Sequence, residues 1–424
     1  MSFQTGLSGL NAASRNLDVI GNNIANANTT GMKSSRTEFA SLVASSLGTV
    51  GIGNGTGIGV EVVSISQSFT QGNINITGNN LDVAVNGGGF FQLQQTDGSI
   101  AYTRDGSFKL NKDGFLTNSS GANVMGYQTD PITGKPTNAS IKPLQLPTSA
   151  PIAAKSTTAI ATEFNLDSRA PLAAGVAAVP AAAGPPVVAA QAAIPATPRG
   201  TYGTSMTAYD SQGAAVPVSL YFERKTAGAT DTWDVYDGAE AGATLVTTLT
   251  FDENGKLTAP LPGATTLTIK TPSLATPDIT ATLDVSKVTQ YGSAFNVSNL
   301  TQDGYAPGEL VGLNIGQDGK ISARYSNGKT QINGQLTLAD FRITQGLASG
   351  SGNTWVETFA SGQPVQGSPG EGKFGVLRAG ALEESNVDLT GELVNMMTAQ
   401  RAYQANAQTI KTQDQIMTTL VNLK

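Results

Sequence analysis

Apolar residues follow two rhythms along this chain. Near the start, Phe3, Leu10, Leu17 and Ile24 recur every seven positions, and Leu7 and Ile20 widen the stripe. Near the end, Leu389, Met396, Tyr403, Ile410 and Met417 repeat the same spacing, flanked by Leu393, Ala407 and Val421. A sustained seven-residue repeat marks helices that pack along a coiled-coil seam. Ser14, Gly21, Gln400 and Asp414 interrupt the secondary stripe, so each seam is imperfect. The first helix is expected to stop in the Asn-rich run 22–28, where Asn competes for backbone hydrogen bonds and Gly31 supplies a residue tolerant of φ > 0. The second is expected to be capped by Ser385-Asn386, with Asp388 in its first turn.

The middle of the chain reads as β-structure. Asp97-Gly98, Asp105-Gly106 and Asp113-Gly114 lie between short β-prone runs such as Ile100–Thr103 and Phe108–Leu110, and Asp-Gly in that setting is a hairpin signal. A second series, Asp318-Gly319, Asn327-Gly328 and Asn333-Gly334, predicts another meander, which can share a sheet with the first. Between them lie further strands, Val216–Phe222 and Leu245–Phe251. The expected fold is mainly β with terminal α-helices. Residues 1–30 and 385–424 form a coiled-coil-like helical domain, and 31–71 with 366–384 form a connector. Residues 72–149 with 286–365 form a β-rich middle domain, and 150–285 an inserted β-rich outer domain. The low-complexity Ala/Pro-rich stretch 170–198 carries six prolines, which forbid a continuous helix, so it reads as an irregular surface loop.

Composition narrows the chemistry. The 424 residues include no His and no Cys, which removes imidazole acid–base catalysis, thiol nucleophiles, thiolate metal sites and disulfides. Net charge is −6, so no basic face for nucleic acid is expected. Only 13% of residues are charged, about half the usual share, which suits neutral surfaces that meet other protein surfaces. No apolar run is long enough to span a membrane, and the N-terminus lacks the pattern of a cleaved signal peptide.

The remaining motifs read as structural. Gly51 to Gly59 alternate with other residues and never give the dinucleotide spacing, so this stretch is taken as a flexible connector. Gly328-Lys329-Thr330 lacks the first glycine of a phosphate loop, because Ala323 stands there. Asn86 to Phe91 reads as a tight turn into an apolar strand. Glu383-Glu384 reads as solvated charge beside a helix start, and Trp233 and Trp355 as core residues. No loop has the calcium-binding pattern, so no catalytic residue, cofactor or metal is expected. The terminal stripes admit two readings, a helical hairpin within one domain or surfaces completed by other molecules. One apolar seam is a marginal return for ordering two long helices. That favours the second reading.

The residues resemble a known family. Gly6 to Ala13 followed by Leu17 to Lys33, then Leu81 to Phe91, Tyr102 to Phe108, and Ser385 to Thr412 are similar to the signatures of the bacterial flagellar rod and hook axial proteins. Within that family, the length and the segment Ala208 to Gly213 leading into Val218 to Phe222 fit hook subunits better than distal rod subunits. The resemblance implies a non-enzymatic subunit that polymerises into a curved flexible tube, exported by the flagellar type III apparatus without cleavage. Implied partners are further copies of itself, the distal rod, the hook cap, the hook–filament junction and a length ruler. A distal rod subunit and a secreted β-rich adhesin or glycan-binding module are the alternatives.

Overall fold

The computed structural model describes residues 2–43, 57–130, 133–147, 151–175, 177, 194–228, 230–272 and 276–422. Helix α1 (Ser2–Ala25) ends in the Asn-rich run, and α2 (Leu389–Asn422) closes the chain. Among the described residues, everything between is β-structure, turns and irregular segments, apart from two single-turn 3-10 segments. The chain divides into two compact units, the first holding residues 1–150, 311–324 and 329–424, the second 151–310 and 325–328.

The first unit is organised by one large sheet. Strand Phe90–Gln94 pairs antiparallel with Ile100–Thr103 and with Asn123–Thr129, and the latter pairs with Thr330–Leu336. The early and late meanders thus share a sheet. Successive side chains alternate across it: Phe91 joins a core with Val85, Leu93, Phe108, Leu116 and Leu336, while Phe90 joins Tyr102, Phe341 and Trp355 on the other face. The Phe90 and Trp355 rings meet edge to face at 5.6 Å, a geometry aromatic pairs prefer. Gly98 and Gly114 take φ of 85° and 81° in true hairpin turns.

Two dipeptides differ from expectation. Asp105-Gly106 makes no hairpin; a Cβ on Gly106 would lie 1.7 Å from the Val83 carbonyl oxygen, so glycine is there for close approach. Asn333-Gly334 falls inside strand Thr330–Leu336, beside a shift of register between Ile321 and Ser322. It is a bulge rather than a turn.

The second unit is two five-stranded sheets whose inner faces meet in one core, containing Ile160, Phe164, Phe222, Trp233, Phe251 and Leu283. Strand Ile279–Asp284 alternates buried and exposed along its whole length. The far boundary of this insertion lies at 310 rather than 285, because Asn296–Gln302 pairs with Ala159–Asp167 and so completes its sheet. Most of the Ala/Pro-rich stretch lies outside the described residues. Of its flanks, Ala170 is buried, and the Ala173 amide donates to the Arg224 carbonyl.

The described part of the expected connector, residues 31–43, 57–71 and 366–384, is also ordered. Strands β1 (Ser35–Val43) and β2 (Gly57–Gln67) pair antiparallel, so Gly57 and Gly59 sit in a strand; Gly51 to Thr56 lie outside the described residues. Val365–Gly367, Val376–Ala379 and Ala381–Glu383 each pair with strands of the first unit. Residues 366–384 are therefore part of the β body.

Candidate assembly interface

Helices α1 and α2 pack against each other in opposite directions. A Cβ on Gly6 would lie 3.1 Å from Ile410 Cγ1, one on Gly9 would lie 2.8 Å from Asn406 Nδ2, and Asn23 Nδ2 donates to Glu392 Oε1 at 3.3 Å. The face of α1 turned inward is built from small residues, with Gly6, Ala12 and Ala13 buried beside Val19, Ile20 and Asn23. Small side chains let two helix backbones approach closely. On a further side, a Cβ on Gly59 of β2 would collide with Ser8 Oγ, so α1 also rests on the hairpin.

The large residues of the predicted seams are only partly used. Ile20 is buried; Leu10, Leu17, Ile24, Met396, Ala407 and Ile410 are half-buried; Phe3, Leu7, Leu389, Leu393, Tyr403 and Met417 are exposed. Val421 lies within α2, but its side chain is outside the described residues. Sequence reasoning missed Val394, Met397 and Ile416, which are about half exposed and extend the open apolar surface of α2. They sit one residue beside the heptad positions, and a stripe wider than a two-helix seam would have included them.

Capping differs from expectation by a few residues. Asp388 is the N-cap of α2, accepting from the Thr390 amide at 3.0 Å. Asn386 instead stitches the chain ends together: its Oδ1 accepts from the Ser34 amide, and its Nδ2 donates to the Ser68 carbonyl and to Thr70 Oγ1. At the foot of α1, Asn23 makes two reciprocal bonds with the Ser35 backbone, at 2.7 and 2.9 Å.

Between these helix ends and the sheet lies a buried charge cluster. Lys33 Nζ is 2.6 Å from Glu383 Oε1, and Arg104 Nη1 is 3.1 Å from Glu383 Oε2, with both the Lys33 and Glu383 side chains fully buried. Lys33 also donates to the Thr70 carbonyl, the Gly72 amide donates to Glu383, and Arg104 donates to the Gly87 carbonyl. Burial pushes the Lys33 amine below the ordinary lysine range, and Glu383 opposes that shift. Glu383 is therefore no solvated helix-start charge. The alternation Ala381 buried, Leu382 half-buried, Glu383 buried shows that it belongs to a strand. One carboxylate thus ties together the segment after α1, the turn before the first sheet, and the strand before α2.

Among the described residues, no group of three or more acidic, His or Cys side chains could hold a metal, and no helix is long and apolar enough to cross a membrane.

Family comparisons agree on the whole length of the chain. Four family descriptions match: flagella basal body rod protein over residues 3–33, flagellar hook protein FlgE/F/G D1 domain over 84–161, flagellar basal body protein FlaE D2 domain over 165–305, and flagellar basal body rod FlgEFG protein C-terminal over 378–423. The chain is 42% identical to flagellar hook proteins of Salmonella typhimurium and of Escherichia coli, with all of both chains covered in each case. It is 31% identical to that of Treponema pallidum, covering all of this chain and 99% of that one. The crystal structure of the Helicobacter pylori flagellar hook protein FlgE2 shares the fold, with a TM-score of 0.56 at 15% identity over 73% of this chain and all of that one. This chain belongs to the flagellar hook protein family.

Proposed function

We propose that the chain is the structural subunit of a bacterial flagellar hook, and that its copies assemble into a curved, flexible tube joining a rod to a filament. One observation carries the assembly reading: α2 is 34 residues long, yet of its described side chains only Ala399 is buried. A helix that long with an open apolar face is poorly supported by one partner. Packing against α1 covers one side, and neighbouring copies cover the rest. The interface residues are those of the two seams, Phe3, Leu7, Leu10, Leu17, Ile20 and Ile24 on α1, and Leu389, Leu393, Met396, Tyr403, Ala407, Ile410, Met417 and Val421 on α2. The open set also includes Val394, Met397 and Ile416.

The mechanism is mechanical rather than catalytic. The terminal helices pack as the tube's continuous layer, and the rigid β-units slide against their neighbours as the curved tube turns. Family membership supports further partners: a distal rod protein, a cap, a junction protein, a length ruler and the flagellar export apparatus, with the subunit travelling to the cell exterior. Electron microscopy of the concentrated purified protein tests this reading. Curved tubes are expected; straight tubes indicate a rod subunit, and a persistent monomer contradicts assembly.

A further inference from the structure

One aromatic side chain of the first unit stands entirely outside it. Phe359 has a relative exposure of 105%, while Ser361, two residues on, is fully buried. The turn carrying it is held firmly. The Thr358 amide donates to Ser361 Oγ at 2.9 Å, Ser361 Oγ donates back to the Thr358 carbonyl at 2.9 Å, and the Ala360 amide donates to Thr358 Oγ1. Thr358 Oγ1 in turn donates to the Gly346 carbonyl. Gly346 is obligatory beneath it, since a Cβ there would lie 2.4 Å from the Ser361 amide nitrogen. A large apolar ring is thus presented on a rigid mount, which lowers the entropy lost when it binds. Such anchors dominate interface energetics when they find a pocket.

The same unit offers a hollow of about 670 Å³ that Phe359 does not line. Its apolar walls are Phe341, Val365 and Phe374, with Arg342 and Glu371 also lining it. Val365 is itself exposed, and strand Val365–Gly367 pairs only with Leu338–Asp340, so its outer edge is open among the described strands. A ring fits a hollow of this size and character.

We propose that Phe359 is a subunit-to-subunit anchor that inserts into the Phe341–Val365–Phe374 hollow of a second copy of this chain. The inference rests on the self-assembly proposed above. Knob and hollow occur on one chain, which leaves Phe359 and Val365 exposed while Phe341 and Phe374 also pack against its own cores. Joining them head to tail leaves a free knob at one end and a free hollow at the other, so the contact repeats into an open helix, as a tube requires, when the rotation between copies does not close into a ring. A second copy is therefore the occupant that accounts for both features together.

The absence of native cysteine allows a direct test. Subunits carrying Phe359→Cys are mixed in equal amounts with subunits carrying Val365→Cys, assembled and oxidised. A disulfide-linked dimer is expected in the assembled mixture only, and in neither variant alone. Phe359→Ala should raise the protein concentration at which tubes appear by about tenfold, with an unchanged thermal melt, and Phe359→Leu should recover part of that. Tubes of the mixed cysteine variants that give no mixed dimer, or a Phe359→Ala variant that assembles at the wild-type concentration, overturn the anchor while leaving self-assembly intact. A wild type that forms no tubes overturns self-assembly and the anchor with it.

Discussion

Helix α2 and the inserted β-unit are close to opposite solutions to the same problem. In the inserted unit, each sheet turns an apolar face toward the other, and residues such as Phe164, Trp233 and Leu283 have nearly no exposed surface. It is a finished object. In α2, Leu393, Val394 and Met397 are each at least half exposed, and the helix is held along one side by the small-residue face of α1. The difference lies in what each sequence asks for. Period-two strands joined by short turns bury their apolar set within one molecule, whereas a helix with a wide apolar stripe and one thin partner needs further neighbours. Cores are completed by the chain; the open face of α2 is what the proposed assembly leaves for its copies to complete.

The sharpest way to break this comparison is at the buried charge cluster of the first unit, between the helix ends and its sheet. Glu383→Ala leaves Lys33 and Arg104 buried without their counter-charge, a class of change that costs about 3–5 kcal/mol. The two tryptophans separate the outcomes, since Trp355 lies in the first unit and Trp233 in the second. Denaturant unfolding followed by fluorescence should show the Trp355 transition destabilised by that amount and the Trp233 transition unmoved. A loss shared by both would mean that the units do not unfold separately.

Tyr403→Asp probes the open surface. Tyr403 is exposed in the single chain, so an aspartate there is solvated and should shift the melt by less than about 0.5 kcal/mol. Buried between copies, the same charge is unpaired and costs several kcal/mol at every subunit, on the order of 2–4. Sedimentation should therefore show a well-folded monomer that no longer assembles. Normal tube formation would remove Tyr403 from the interface.

The smallest expected effect is one of pH, within the inserted unit. Burial pushes the Asp303 carboxyl up, but the hydrogen bonds from Lys155, Thr158 and the Ala159 and Thr158 amides outweigh it and hold the carboxyl well below the ordinary range. A depressed carboxyl adds stability above its unfolded pKa of about 3.9 and loses it as pH falls through the folded value. With no histidine in the chain, the Trp233 melt should stay flat between about pH 5 and 8 and fall only below about 4. Asp303→Asn should flatten part of that acid fall. A melt that changes near pH 6.5 would contradict this.

Much of the fold was legible because local chemistry and tertiary structure agree. The Asn-rich run ends α1, and Gly98 and Gly114 adopt the positive φ their turns require. The misses share a cause. Ser385, Asn386 and Asp388 are all good capping residues, and only the use of Asn386 by Ser34, Ser68 and Thr70 leaves the cap to Asp388. Glu383-Glu384 reads as solvent-facing, as Glu384 is, until Lys33 and Arg104 arrive from elsewhere in the chain to bury Glu383. The heptads located the helices but not which face each would keep for itself. That choice went to Gly6, Gly9, Ala12 and Ala13, whose small size a hydrophobic count passes over.

Amide hydrogen exchange, measured on dilute monomer and on assembled protein, tests most directly whether the terminal helices are interfaces completed by other copies. Amides of α2 between residues 400 and 419 should exchange quickly in the monomer and become strongly protected in the assembly. The strands of the inserted unit, such as Ile279–Asp284, should be protected alike in both. Equal protection of α2 in dilute monomer would show that α1 alone completes it and would contradict the account.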